Sequence, residues 1–407
     1  MFVYSISKSQ SVKDEVVEYN YVKLPLQPIN KSITNYTSLI FATYETQNAE
    51  KKAKHEADKK IAQDEFDKET AAYPAKVKAA EDKYNAELEE YNKQGLAEKV
   101  IEDKVLGESN KPVKQTPSPP YLRGIPEPDL QTTYDYPVVA NTYLNLGGFS
   151  NNVDNAVNIK VTIYGFDYTQ PRQMTTQKEM SSYVNGQTTK RMVTYYYTEF
   201  SYRHPMAVQV TLPDGTVILN ETPQELNTYI IYKSPETETS SGINTDLLIK
   251  TYEEKVFQNN LIMLNNLVND KFGFQKVKRL AKLYFVKAKD ETYQDLLIAF
   301  NDASAGLKLL VDEEIGAKIK LENAVKLWTA ALAESDATNN KARIDKNVTN
   351  MLCLNLLEVY FALKNPTEAE KIIAKMNMLN LSAEEKKQKE DFELLFIDLK
   401  KRMLANN

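Results

Sequence analysis

The chain has 407 residues, which at roughly 100–200 residues per domain predicts two to four domains. Apolar residues make up 42% and charged residues 26% of the chain, close to the globular average, which excludes a wholly disordered or fibrous protein. The net charge of −5 argues against a nucleic-acid partner, which would favour a basic face. No run approaches about 18 apolar residues, so we expect a protein that does not span a membrane.

The first composition block, residues 15–46, favours β-strands. Valines and tyrosines precede Leu24, and Pro25 and Pro28 should end that first strand or place it at the edge of a sheet. A second run, Tyr36–Tyr44, is β-branched and aromatic. Residues 1–10 lack the charged and apolar regions of a secretory signal. We therefore expect either a cytoplasmic protein or an exported one whose signal is missing from this chain.

Residues 47–106 form a charged helical arm in this interpretation. Lys, Glu, Asp and Ala dominate, and all four are compatible with a long helix. Larger apolar side chains recur at coiled-coil spacing on one narrow stripe: Phe66, Tyr73, Val77, Tyr84, Leu88 and Tyr91. Pro74 leaves two alternatives, one kinked helix or a hairpin turning near residues 72–75. The stripe could be covered by an antiparallel helix of the same arm or by a partner helix, and a short helix is expected near residues 96–106.

Residues 107–133 contain six prolines and are expected to be a linker in extended conformation. Strands return over residues 134–233. Val157–Ile163 alternates apolar and polar residues, which is typical of a sheet with one buried face. Asp214-Gly215 between two such runs predicts a hairpin turn. Further strands are expected at 139–146, 192–202 and 227–233.

These patterns predict an α+β multidomain protein. Because two strands are too few to be stable alone, residues 1–46 and 134–235 are expected to form one antiparallel β-sandwich, jelly-roll-like, with the arm 47–106 inserted between its strands. Residues 243–407 are expected to be an all-α domain. Its predicted helices are 245–269, 273–287, 290–311, 313–334, 341–364, 366–378 and 382–404, the last opening with a capping box at Ser382 and Glu385.

Two stretches of the helical region resemble degenerate tetratricopeptide repeats. Ala324, Trp328 and Ala331 have the spacing of the second helix of that repeat. The next stretch supplies Leu356, Tyr360 and Ala369, and the 45-residue interval from Ala324 to Ala369 requires an insertion around 336–346. The resemblance implies helical hairpins stacked into an array, with Trp328, Tyr360 and Ala369 as packing residues.

The sequence offers little catalytic chemistry. Cys353 falls at an inward helical position and is expected to be a buried structural thiol. His204 is expected at a strand end and His55 in solvent on the arm. Asn151–Asn155 lacks the spacing and bidentate glutamate of a calcium loop, and Asp312–Glu314 point in different directions on a helix. We therefore expect no catalytic residue, no cofactor and no metal.

The remaining candidate for a binding surface is a tyrosine-rich strand. Residues 195–197 are all tyrosines, and with Phe200 and Tyr202 they place aromatic rings on both faces of one strand. One face must pack the core, and the other is either covered by the helical domain or exposed to a glycan or protein. The candidate contact residues are Tyr196, Tyr202 and Arg203.

The combination also resembles cell-envelope proteins of Bacteroidetes-type bacteria that join a β-rich domain to tetratricopeptide-like helices. The residues that carry this resemblance are 21–28 (YVKLPLQP), 145–149 with 159–166, and the Trp328 repeat. It implies an exported, non-enzymatic protein in the periplasm or outer envelope, acting through protein partners. The alternatives are a carbohydrate-binding surface protein, which uses an aromatic sheet face, and an enzyme such as a glycosidase, for which no carboxylate pair is evident.

Overall fold

The structure is a computed structural model, and it describes residues 11–93, 95, 111–184, 187–240, 242, 244–287 and 291–407. The predicted helix near residues 96–106 lies outside this range. The chain divides into two compact units: residues 42–134 with 164–166 form one, and the rest forms the other. Both α-helices and sheets with antiparallel pairing are present, as the sequence predicted. Among the described residues, no helix combines the length and apolar character needed to cross a membrane.

The smaller unit is built on one long helix, α1 (Glu45–Lys93), which continues through Pro74 without forming a hairpin. The six apolar side chains of the predicted stripe, from Phe66 to Tyr91, are all half-buried, as expected for a stripe on one face of the helix. Between Asn48 and Glu81 the element bonded to this helix is the proline-rich segment 111–134. The Asn48 amide bonds to the Gln131 backbone, the Tyr73 hydroxyl donates to the Pro117 carbonyl over 3.2 Å, and Lys114 pairs with Glu81.

The proline-rich segment therefore runs antiparallel along α1, and we call it the strap. Between Asn48 and Glu81 the helix rises about 50 Å at ~1.5 Å per residue. Between Lys114 and Gln131, polyproline-like chain advances about 53 Å at ~3.1 Å per residue. The two lengths match, so the extended strap follows the helix over this distance with about half as many residues. The sequence predicted an extended linker at 107–133; over the strap the chain is extended, and its backbone and side chains are bonded to α1.

A five-stranded sheet lies in the larger unit, in the order β3-β2-β4-β8-β9. Its strands are β2 (Asn35–Ala42), β3 (Ser150–Asn151), β4 (Ala156–Ile163), β8 (Met206–Thr211) and β9 (Val217–Glu221). Alternate residues of β4 are fully buried, as the sequence alternation predicted. The predicted hairpin turn is also present, with Gly215 at φ +87° and the Asp214 carboxylate accepting from the Thr216 amide over 2.9 Å.

A second sheet is centred on β7 (Gln187–Arg203), which pairs with β5 (Asp167–Tyr168), β6 (Arg172–Val184) and β10 (Ile230–Lys233). The β6–β7 ladder runs antiparallel from Arg172↔Glu199 to Val184↔Gln187. Strand β6 is not among the strands that the sequence predicted. Its signal was the dipeptide Asn185-Gly186 between two threonine-rich runs, which is a strong indicator of a hairpin.

Two predicted elements are wrong. The strand expected at 139–146 is largely helix α2 (Tyr136–Tyr143), because the Asp135 carboxylate caps the Val138 amide and Pro137 suits a first turn. The helix expected at 273–287 is strand β11 (Gln275–Lys287), which pairs antiparallel with β1 (Ser11–Lys23) from Ser11↔Lys287 to Lys23↔Gln275. Consequently β1 does not join the five-stranded sheet, and the region 243–407 is not all-helical.

The remaining elements are helical, and they surround the β1–β11 pair. They are α3 (Gln224–Asn227), α4 (Thr245–Phe272), α5 (Gln294–Leu309) after a 3-10 turn (Glu291–Tyr293), α6 (Glu314–Ala333), α7 (Lys346–Ala362), α8 (Pro366–Asn377) and α9 (Ala383–Asn406). The predicted capping box opens α9 with both of its bonds. One continuous core joins Tyr19 of β1 and Leu283 of β11 to the helices, and it contains Trp328, Tyr360 and Ala369.

Candidate functional site: the groove of the C-terminal helices

The α5–α6 hairpin is held by a very close helix–helix approach. Gly306 faces α6, and a Cβ built there would lie 2.8 Å from Cγ of Leu321 and 3.0 Å from the carbonyl oxygen of Ala317. Only glycine allows this separation, which in turn lets the small residues Ala317 and Ala324 reach the core. The tight packing fixes α6, the helix that carries most of the candidate site.

The candidate site is a groove of about 830 Å³ between α6 and the α7–α8 corner. Helical spacing along α6 places one row of side chains on its wall and floor. The lining residues are Lys318, Glu322, Val325, Lys326, Thr329, Ala330, Ala333, Tyr360, Leu363, Asn365 and Glu368. The floor consists mainly of small or apolar side chains, and the rim carries charged side chains of both signs.

Tyr360, which the sequence singled out for packing, also lines this groove. It is 6% exposed, and Thr329 lines the same groove. Burial raises the pKa of Tyr360, so it stays a neutral donor and acceptor at physiological pH. Trp328 is one position before Thr329 and points the other way, into the core, with no exposed surface.

A second pocket of about 440 Å³ adjoins the groove and shares Lys318 and Leu363 with it. It lies among the end of β1, the α5–α6 turn, the end of α7 and α9. Its floor includes Tyr21, Phe361 and Leu399, and Lys364 stands at its edge. We call it the end pocket.

Lys364 has an unusual backbone. Its φ is +53°, the left-handed region, directly after α7. The Lys364 amide donates to Phe361 O over 3.0 Å and the Asn365 amide to Tyr360 O over 2.8 Å. These two bonds make the helix-ending motif in which glycine usually occupies this position. A lysine therefore bears backbone strain at the junction between the groove and the end pocket.

The wall beside the end pocket is braced by a buried ionic cluster. Glu358 of α7 is 2% exposed and accepts two bonds from Arg279 of β11, at 2.7 and 2.8 Å. The Tyr19 hydroxyl of β1 donates to the same carboxylate over 2.6 Å. The Arg279 guanidinium lies 5.1 Å from the centre of the Phe361 ring, within cation–π range. The cluster locks both strands to the helix that ends at the groove.

The predicted contact residues on β7 have different environments. Tyr202 is 7% exposed and packs edge-on against Tyr252 of α4, with ring centres 5.0 Å apart, so its ring serves the core and not an outer surface. Arg203 pairs with Asp167 at 3.0 Å and lies over the Tyr229 ring. Tyr196 is half-buried, and its backbone bonds to Thr237. The structure therefore does not bring these three residues together as one surface.

The cysteine and both histidines of the chain are buried. Cys353 is fully buried, and burial raises the pKa of its thiol to about 12, which makes it unreactive. His204 is buried against Phe257, and desolvation lowers its pKa to about 4. His55 is not in solvent as expected: the strap covers it, and Glu127 lies 3.4 Å from its Nε2. Within the described ranges, no group of three or more His, Cys, Asp or Glu side chains is arranged to hold a metal ion.

No protein-family model, no characterised protein and no solved structure matches this chain. The site must therefore be interpreted from its own geometry. The sequence predicted Trp328 and Tyr360 as packing residues and gave no prediction for the groove residues Lys326 and Thr329. Their places on α6 beside the buried Trp328 could have indicated them. The pairing of Arg279 with Glu358 could not be predicted, because the sequence pattern of residues 273–287 indicated a helix and Arg279 lies on a strand.

Proposed function

We propose that this protein is a non-enzymatic, structural or interaction protein that binds a polypeptide partner in the groove between α6 and the α7–α8 corner. We further propose that the C-terminal helices act as a tetratricopeptide-like array, and that the two sheets of the β-rich region correspond to the expected sandwich. The cell-envelope setting is also part of the proposal, and it rests on the sequence resemblance alone.

The groove is the observation that supports this function. Its volume of about 830 Å³ is large enough for several side chains of a partner, since pockets of roughly 300–1,000 Å³ enclose a whole small-molecule ligand. The exposed methyl groups of Ala330 and Ala333 leave room for a partner's side chains. Lys326 of α6 can pair with an acidic group of a bound segment and Glu368 of α8, which also pairs with Lys371 over 2.6 Å, with a basic one, and this gives the segment an orientation.

A peptide-display selection against the full chain tests the proposal. Peptides enriched on the wild type should lose at least tenfold in affinity for Ala330→Arg, because the arginine fills the groove without entering the core. The matched control is Ile319→Arg, on the same helix but outside the groove lining and 63% exposed. Retained binding by Ala330→Arg, or equal loss in both variants, would refute the groove as the site.

A carbohydrate-binding function is the second candidate. It is favoured by three consecutive half-buried tyrosines, residues 195–197, on β7. Two lysines count against it. Lys178 and Lys233 lie over the Tyr195 and Tyr197 rings, at 5.7 and 5.6 Å, and their ammonium groups occupy ring faces on which a sugar would stack. Retention on insoluble polysaccharide that is lost in Tyr196→Ala supports this alternative, and absence of retention by the wild type eliminates it.

A further inference from the structure

The outer face of α9 carries an unpartnered heptad seam. Three of its side chains are large, apolar and exposed: Leu394 at 66%, Ile397 at 64% and Leu404 at 77%. The opposite face of the same helix supplies Phe396 and Leu399 to the core. The helix is therefore apolar on two opposite faces, and the monomer buries only one of them.

The spacing of the exposed face is that of a coiled coil. Exposed residues follow one another at intervals of three, four, three, four and three, the alternation of heptad positions a and d. In chain order they are Lys387, Glu390, Leu394, Ile397, Lys401 and Leu404. The seam thus has an apolar centre with one acidic and one basic residue placed symmetrically about it.

That symmetry points to one occupant. We propose that α9 pairs with α9 of a second copy of this chain, antiparallel and about a two-fold axis between Leu394 and Ile397. Antiparallel coiled coils bring each a position against a d position of the partner helix. The pairs are then Leu394 with Ile397, Glu390 with Lys401, and Leu404 with the aliphatic stem of Lys387, each occurring twice because the interface is isologous.

The charges select this orientation. Neither Glu390 nor Lys401 has an ion-pair partner among the described residues, whereas Glu393 and Lys400 nearby are already paired with Lys389 and Glu370. In a parallel dimer Glu390 would face Glu390, and Lys401 would face Lys401. Such like-charge pairs in a seam oppose association, so the alternative is disfavoured by the same residues that support the antiparallel one. With three apolar side chains per copy, the dimer is expected to be concentration-dependent and not permanent.

Sedimentation of the full chain over a range of concentrations tests the proposal. The wild type should self-associate, Glu390→Lys and Lys401→Glu should each weaken the dimer at least tenfold, and the double variant should restore it. Glu254→Lys and Lys255→Glu on the exposed side of α4 make the same charge changes off the seam and should have no effect. A wild type that is monomeric at every concentration, or a dimer indifferent to the seam variants, overturns the proposal.

Orientation is tested by disulfide trapping. A mixture of Leu394→Cys and Ile397→Cys chains should form a mixed disulfide, whereas a parallel dimer would cross-link Leu394→Cys to itself. The native thiol does not interfere, since Cys353 has no exposed surface. Preferential homodimer cross-linking would contradict the antiparallel arrangement.

Discussion

Lys364 shows how one residue can oppose the local preference of the backbone. Its left-handed conformation costs an L-residue about 1–2 kcal/mol, yet a lysine stands where α7 must end and α8 must begin within three residues. Asn365 then caps α8 by accepting from the Glu368 amide over 3.2 Å. Strain of this kind persists where the surrounding structure enforces it, and it is common at binding sites.

Replacement of Lys364 by glycine should raise the free energy of unfolding by about 0.5–1 kcal/mol. Relief of the left-handed penalty exceeds the extra unfolded-state entropy of glycine, which is about 0.5–1 kcal/mol. Urea unfolding measures the change. The same substitution at Lys371, inside α8, should instead cost about 1 kcal/mol. A loss of stability in both variants would show that Lys364 makes a favourable contact that the backbone argument omits.

At the scale of the element, α1 and its strap form a two-part rod. A narrow apolar stripe does not need a second helix, because an extended chain with prolines can cover it and leaves few backbone donors to satisfy. Asn48 supplies the missing hydrogen bonds at one end. Its side-chain amide donates to Gln131 O over 2.8 Å and its oxygen accepts from Gln131 N over 3.1 Å.

Substitution Asn48→Ala should release this end of the strap. Two hydrogen bonds are lost from a side chain that is 4% exposed, and each contributes about 1 kcal/mol. Amide exchange at Gln131 should accelerate at least tenfold, as measured by hydrogen–deuterium exchange. Gln63→Ala removes a bond within α1 alone, to Asp67, and should leave Gln131 protected. Equal protection of Gln131 in all three proteins would contradict the role of Asn48.

At the scale of the whole molecule, stability depends on residues far apart in the chain. Tyr19 and Glu358 are 339 positions apart and share a hydrogen bond. Arg402 of α9 reaches back to the Leu24 carbonyl over 2.8 Å and to the Asp270 carboxylate over 2.7 Å. These bonds join the start of the described chain, the middle and the last helix in one unit, so its loss of structure should be cooperative.

Acid should destabilise that unit through His204. Its pKa is lowered to about 4 by burial, from about 6.5 in the unfolded chain. As pH falls from about 6.5 toward 4, the unfolded state binds a proton that the folded state does not, so folded-state stability is lost across this window. The loss is about 3 kcal/mol at ~1.36 kcal/mol per pKa unit.

Urea unfolding at pH 7.5 and pH 4.5 measures this effect. The variant His204→Gln, which removes the titrating group, should show a smaller decrease between the two pH values by about 2–3 kcal/mol. All other ionisable side chains are common to both proteins, so their contribution cancels in the comparison. An identical decrease in wild type and variant would remove His204 as the cause.

The sequence by itself determined the elements whose signals are local. The alternation of Val157–Ile163, the Asp214-Gly215 turn, the capping box at Ser382 and the stripe of α1 each depend on side chains within one or two turns of each other. The interactions behind such patterns are local and do not depend on contacts between distant parts of the chain. The inward positions of Trp328, Tyr360 and Cys353 follow from the same helical periodicity.

Only the tertiary structure decided what each element packs against. Residues 275–287 have a composition compatible with helix, and they become a strand because β1, more than 250 positions earlier, supplies the pairing edge. The attachment of the strap to α1 could not be predicted from the sequence of the strap, because its bonds are to a helix and not to itself. The groove, the end pocket and the Tyr19–Arg279–Glu358 cluster arise where such long-range pairings meet, and no local pattern encodes which distant surfaces will be complementary.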